Sequence, residues 1–160
     1  MTAAQPAFRR ATAADAVALL DLERAASLAA LGHVFPPERH PYPADDVLAR
    51  WHLVLLDPDV VVEVLDGVTG LRCVVAHDVA GTLRQLAVAP DEWGGGLGRL
   101  AISRAVAAIR ARGRAAPRLW CLVDNHRARR LYEHLGWQPT GSEQPAPWPP
   151  HPAEMEYVLP

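Results

Sequence analysis

The sequence predicts an α+β fold, a mostly antiparallel sheet flanked by about four helices, and three observations carry that prediction. Two stretches with helical spacing come first, three β-rich runs divided by glycine turns follow, and an Asp66-Gly67 pair marks the first of those turns as a hairpin. At 160 residues the chain suits one domain over residues 1–160, large enough to bury a core without disulfides or a structural metal.

In chain order, Phe8 to Ala11 reads as a short strand, and Thr12 with Asp15 three residues on reads as a shortened capping box opening a helix that runs to about Leu31. Gly32 to Pro43 holds four prolines and a glycine, so it is a loop, and at that length a functional one. A second helix spans about Ala44 to Leu56, with Val47, Leu48, Trp51 and Leu55 at helical spacing. Val60 to Leu65, about Thr69 to Val79, and Thr82 to Val88 form an antiparallel meander. An Ala-rich helix covers Gly98 to Arg112 and stops at Gly113. Leu119 to Val123 is a buried strand, Arg127 to Leu135 a short helix, Gln144 to Pro152 a proline-rich stretch, and Glu154 to Leu159 a last strand.

Composition removes several function classes. The apolar runs are too short to cross a bilayer, and Met1 to Pro6 lacks a basic segment followed by an apolar one, so the expected location is the cytoplasm, with no membrane partner. Cys73 and Cys121 sit inside strand-like runs and read as inert buried thiols, and the histidines and cysteines show no metal-ligand spacing, so no metal is expected. Gly94 to Arg130 holds nine arginines and one acid, a net +8, against a net −10 elsewhere. That asymmetry suits a small polyanion better than a nucleic acid, whose binders are more often basic throughout. No lysine is present, which excludes a lysine-requiring phosphate loop.

The polyanion has an obvious seat. After Val88-Ala89-Pro90, the run Trp93-Gly94-Gly95-Gly96-Leu97-Gly98 opens a helix whose first amides have no intrahelical partner, and with so few Cβ atoms an anion can approach closely. Arg99 stands in the first turn to add charge. Glycine clusters also make plain flexible turns, and Gly96 to Ala101 fits G-x-G-x-x-A. A dinucleotide site is nevertheless rejected: no acid follows about 20 residues on, and too little chain remains for further βα units.

Taken together these residues resemble the GCN5-related N-acetyltransferase (GNAT) superfamily. The family's [QR]-x-x-G-x-[GA] loop after a strand ending V-x-P is matched with Trp93 in place of the Gln or Arg, and its N-x-x-A-x-x-L-Y-x-x-x-G-[FW] block is matched throughout by Asn125 to Trp137. The resemblance implies a mixed sheet splayed between its fourth and fifth strands, with acetyl-CoA as cosubstrate in the gap. By that correspondence the backbone of Leu86, Ala87 and Val88 pairs with the pantetheine and acyl carbonyl. Gly94, Gly95, Gly96, Leu97, Gly98 and Arg99 hold the pyrophosphate, and Asn125 and Ala128 contact the cofactor arm. Tyr132 is placed by the sulfur as the acid for the leaving thiolate, a phenol of pKa ~10 suiting that role.

Many relatives carry a glutamate base where this chain has Thr82; Glu63, His77 and Asp78 on neighbouring strands are the remaining candidates, and the base stays unassigned. Phe35, Tyr42 and Trp51, with His40 and Trp148, are candidates for the acceptor site, where aromatics beside acids suit a cationic amine. The expected activity is acetyl-CoA-dependent N-acetyl transfer directly to a primary amine of a small molecule or a protein N-terminus. The alternatives are a CoA-binding regulatory module without turnover and toxin-type acetylation of aminoacyl-tRNA. Dimers are common among relatives, so a homodimer is within what the resemblance implies.

Overall fold

A computed structural model describes residues 6–160, so the reading of the first residues as free of an export signal lies, but for Pro6, outside the described residues. The elements are β1 (Arg9–Arg10), α1 (Ala16–Ala30) after a 3-10 turn at Ala13–Asp15, α2 (Ala44–Leu56), β2 (Val60–Asp66), β3 (Leu71–Asp78) and β4 (Leu83–Val88). There follow α3 (Leu97–Ala111), β5 (Arg118–Leu122), α4 (His126–His134), β6 (Gln138–Pro145) and β7 (Ala153–Val158). Thr12 N donates to Asp15 at 2.7 Å, the backward half of the expected capping box.

Strands β1 to β4 pair in sequence order, all antiparallel, with Val62 opposite Ala76 and Val74 opposite Ala87. Alternation along β3 explains why this sheet is buried on both sides. Val74 and Ala76 join the core beneath α1 and α2, with Leu19, Val47 and Trp51; Cys73 and Val75 join the core beneath α3 and α4, with Ala101, Ile102 and Tyr132. A strand covered on both faces reads as a near-continuous apolar run, and Val60 to Leu65 is one but for Glu63, which is only half-buried and pairs with Arg104.

A second sheet has the order β5-β7-β6, also antiparallel. The sequence gives no sign of β6: all eight of its residues are exposed, two are proline and one is glycine. It is an edge strand held by its ladder to β7, where proline is tolerated. The proline-rich segment expected from Gln144 therefore begins inside a strand.

The two sheets meet at one isolated parallel bridge, Thr82 to Arg118, where Arg118 N donates to Gly81 O at 3.0 Å. Beyond it β4 and β5 diverge, which is the expected splay. A tight turn aims Thr82 at that junction: Asp78 N donates to Thr82 O, and Thr82 N donates to the Asp78 carboxylate, each at 3.0 Å. Gly81 completes the turn at φ +93°, and a Cβ there would lie 3.1 Å from Arg114 Cβ. Gly81→Ala should therefore cost about 2 kcal/mol, read as a lower urea midpoint with unchanged m-value.

His77, beside this turn, is fully buried with Arg112 Nη1 donating to its Nδ1 at 3.3 Å and no partner for Nε2. Burial, then the Arg112 charge, pushes its pKa below the ordinary value. Being depressed in the folded state, it contributes stability that is present above an unfolded-state pKa of about 6.5 and lost as pH falls through the folded value. Urea titrations should show that acid-side loss in the wild type and a shallower one in His77→Leu.

Candidate active site

Past the Thr82–Arg118 bridge the space between β4 and β5 opens into a cleft of about 1470 Å³. Beyond that bridge one edge of β4 has no partner strand, so alternate backbone groups from Gln85 to Val88 face the cleft. The strand leads through a 3-10 turn at Pro90–Glu92 to the glycine loop and the N-terminus of α3. There the amides of Gly94, Gly96, Leu97, Gly98 and Arg99 donate to no acceptor among the described residues; the first bond of the helix runs from Leu100 N to Gly96 O. Gly94 (φ +83°) and Gly96 (φ +87°) have nothing within 4 Å of where a Cβ would stand. The loop is shaped by the protein and filled by nothing in it.

Charge collects at this end. Of the nine arginines between Gly94 and Arg130, six are engaged elsewhere: Arg104 with Glu63, Arg118 with Glu156, Arg112 with His77, Arg129 with Tyr157, and Arg110 and Arg114 with backbone carbonyls. The other three, Arg99, Arg127 and Arg130, line the cleft. Trp93 holds one of them, for the Arg127 guanidinium lies 3.8 Å from its ring centroid while its Nε1 donates to Val88 O at 2.9 Å. Asn125 caps α4, accepting from Ala128 N at 3.2 Å.

Tyr132 stands on α4 in the wall, its ring edge-on to Trp137 at 6.0 Å and tilted against Tyr157 at 6.2 Å. Its hydroxyl bonds to no protein group among the described residues, and burial, with a smaller effect from Cys121, raises its pKa above the ordinary phenol value. It is therefore protonated throughout the neutral range. Burial pushes the Cys73 and Cys121 thiols up to about 12, which removes both as nucleophiles. Among the described residues no group of three His, Cys, Asp or Glu is close enough to hold a metal.

The other end of the cleft is walled by α1, the 32–43 loop, α2 and the segment before β7. Phe35, His40, Tyr42 and Trp148 line it, half-buried. Trp51 lines it too, though it has no exposed surface, and its indole Nε1 donates to Glu23 at 2.7 Å. Four buried polar atoms here have no partner among the described residues: Tyr42 Oη, Gln85 Oε1 and the Nε atoms of Arg24 and Arg50.

The cleft thus collects Leu86, Ala87, Val88, Gly94 to Arg99, Asn125, Ala128, Tyr132, Phe35, Tyr42 and Trp51. It does not collect the base candidates. Glu63 pairs with Arg104, Asp78 is bound into its turn, and His77 is buried away from the cleft. Glu23, absent from the sequence reading, lines the cleft instead. Its signal was indirect: a buried helical tryptophan needs an acceptor for its N–H.

Residues 21–137 match the model of the acetyltransferase (GNAT) family. A mycothiol acetyltransferase from Beutenbergia cavernae is 42% identical over 65 residues, 41% of this chain but only 22% of that relative's length. The fold is similar to that of a GCN5-related N-acetyltransferase from Rhodopseudomonas palustris, with TM-score 0.81 and 16% identity over 99% of this chain and 97% of that one. It is also similar to the PaiA N-acetyltransferase from Thermoplasma acidophilum, solved in complex with coenzyme A, with TM-score 0.71 and 14% identity over 96% and 98%. At those identities the structural likeness is one of fold, whereas the matched family stretch takes in both the glycine loop and all of the Asn125–Trp137 block. The chain belongs to the acetyltransferase (GNAT) family.

Proposed function

We propose that this protein transfers an acetyl group from acetyl-CoA directly to a primary amine of a small molecule or a protein N-terminus, in the cytoplasm. One observation carries the reading: the unpaired edge of β4 runs into five unpartnered amides at the start of α3, with Tyr132 in the same wall.

The residues present fit acetyl-CoA. A pyrophosphate needs donors without competitors and room to approach, and Gly94 to Arg99 offer both, with Arg99, Arg127 and Arg130 adding charge. The free edge of β4 suits the amide-bearing pantetheine arm, and Ala128 beside the Asn125 cap leaves space along α4. When bound, the cosubstrate supplies an acyl group activated as a thioester. Tyr132 donates its proton to the leaving sulfur. A phenol made less acidic by burial yields its proton readily only as another arrives, so Tyr132 couples sulfur protonation to loss of a proton from the attacking nitrogen.

The direct test is thiol release from acetyl-CoA across polyamines, amino acids, aminoglycosides and peptides. Turnover on an amine is expected; tight CoA binding without turnover on any of them would make the protein a binding module. Tyr132→Phe should lower kcat by about 100-fold or more while leaving the CoA Kd unchanged in calorimetry. Gly96→Val adds strain at φ +87° and puts carbon into the anion seat, and should raise the CoA Kd by about tenfold or more.

A further inference from the structure

We infer that Glu23 receives the acceptor's ammonium and takes its first proton, so that acceptors are primary amines that arrive charged. This rests on the acetyl-transfer reading above and names a residue and a substrate class for it.

The carboxylates that line the cleft are Glu23, Asp46, Glu92 and Glu154. Glu92 is held by two bonds from Arg72, at 2.7 and 3.0 Å. Glu154, half-buried, accepts only from the exposed Gln144 of the edge strand, and Asp46 is exposed in the first turn of α2. Of these four, Glu23 is the one held at a single oxygen by two side chains and left with its other oxygen unused among the described residues. Its Oε2 accepts from Trp51 Nε1 and from Arg50 Nη2, while its Oε1 has no partner among the described residues. The side chain keeps 24% exposure. Fixing one oxygen and leaving the other toward the cleft is how a protein orients a carboxylate for a ligand that donates.

The surroundings are polar. In the same lobe Tyr42 Oη and Gln85 Oε1 are buried without partners among the described residues, as are the Nε donors of Arg24 and Arg50, and an ammonium brings three N–H groups for the two oxygens. Glu23 is faced by Arg50 and Asp46 from α2, by Tyr42, His40 and Arg39 from the loop, and by Arg24 on its own helix, whose guanidinium lies 5.7 Å from the Tyr42 ring centroid. Strand β4 adds Arg84 and β7 adds Glu154. The four arginines outnumber the carboxylates Glu23, Asp46 and Glu154 by one, so the directed oxygen rather than the overall field selects the ammonium.

The protons balance. Glu23 Oε1 takes one proton from the ammonium and passes it to solvent. As the new C–N bond forms and the C–S bond breaks, Tyr132 protonates the sulfur and regains a proton from the nitrogen. Ammonium and thioester thus give amide, thiol and one released proton.

Glu23→Gln keeps an oxygen for Trp51 and Arg50, and is compared with the wild type by kcat/KM for a primary alkylamine from about pH 6 to 10, by melting temperature and by CoA calorimetry. The wild type should be nearly flat below the amine pKa. The variant should rise about tenfold per pH unit and converge with it near the amine pKa, with an about 100-fold or greater loss at neutral pH and unchanged melting temperature and CoA Kd. Glu23→Asp, which keeps the charge, should retain the flat profile at a lower level. A Glu23→Gln profile parallel to the wild type, or a uniform drop accompanied by a lower melting temperature, would overturn the assignment and leave the acetyl-transfer reading standing. A wild type that binds CoA and acetylates no amine would overturn both.

Discussion

A single parallel bridge between Thr82 and Arg118 decides the architecture of this protein. If β4 and β5 were paired along their whole length, the seven strands would form one continuous sheet and no cleft would exist. If they did not touch, nothing in the strand network would fix one sheet relative to the other. Pairing at one residue sets the angle and leaves an unsatisfied strand edge, which in most proteins is a hazard. Here β5 pairs with β7 from Arg118 to Leu122 on one edge and meets β4 only at the bridge on the other, and the free edge of β4 is walled by α1, α2 and their connecting loop. At its far end Trp93 Nε1 binds Val88 O, a side chain doing what a partner strand would otherwise do.

The bridge also places the helix dipole. Because β4 ends in the open gap, the chain leaving it must turn without crossing the cleft, and the Pro90–Glu92 turn with left-handed Gly94 and Gly96 does so in a few residues. The N-terminus of α3 then points its free amides at the space that β4 borders. Strand edge and helix terminus are two sources of unsatisfied backbone polarity brought to one place by the same departure from regular pairing.

How much of this the sequence reveals depends on whether the cause is local. Hairpin glycines, the valine-rich run Val60 to Leu65, the glycine loop and the Asn125–Trp137 block are contiguous signals, and each is readable where it stands. Strand β6 was not, since its order comes from β7 and its own residues are exposed and carry no period. Glu23 was hidden for a related reason: its orientation comes from Trp51 and Arg50, twenty-eight and twenty-seven residues away. Trp51 stands out in the sequence as an aromatic at helical spacing, but that it holds Glu23 is visible only in the fold. Trp93 read as the loss of a polar side chain from the loop, but its ring carries Arg127 from α4, so the charge is restored from an element the local motif does not contain.

Parity along β4 joins these strands of argument. Leu86 and Val88 turn toward the core that holds Leu131 and Tyr132, whereas Ala87 faces the core of α1 and α2, and alternation puts Gln85 on that side too. The backbone between them borders the cleft. One six-residue strand therefore gives its first face to the wall of the proton donor, its second to the wall of Glu23 and Tyr42, and its edge to whatever lies between. A shift of one residue in its register against β3 would exchange the two faces, moving Gln85 to the Tyr132 side and Leu86 into the polar lobe. The bulge at Ala76/His77 and the Asp78–Thr82 turn fix that register, and both lie next to the bridge.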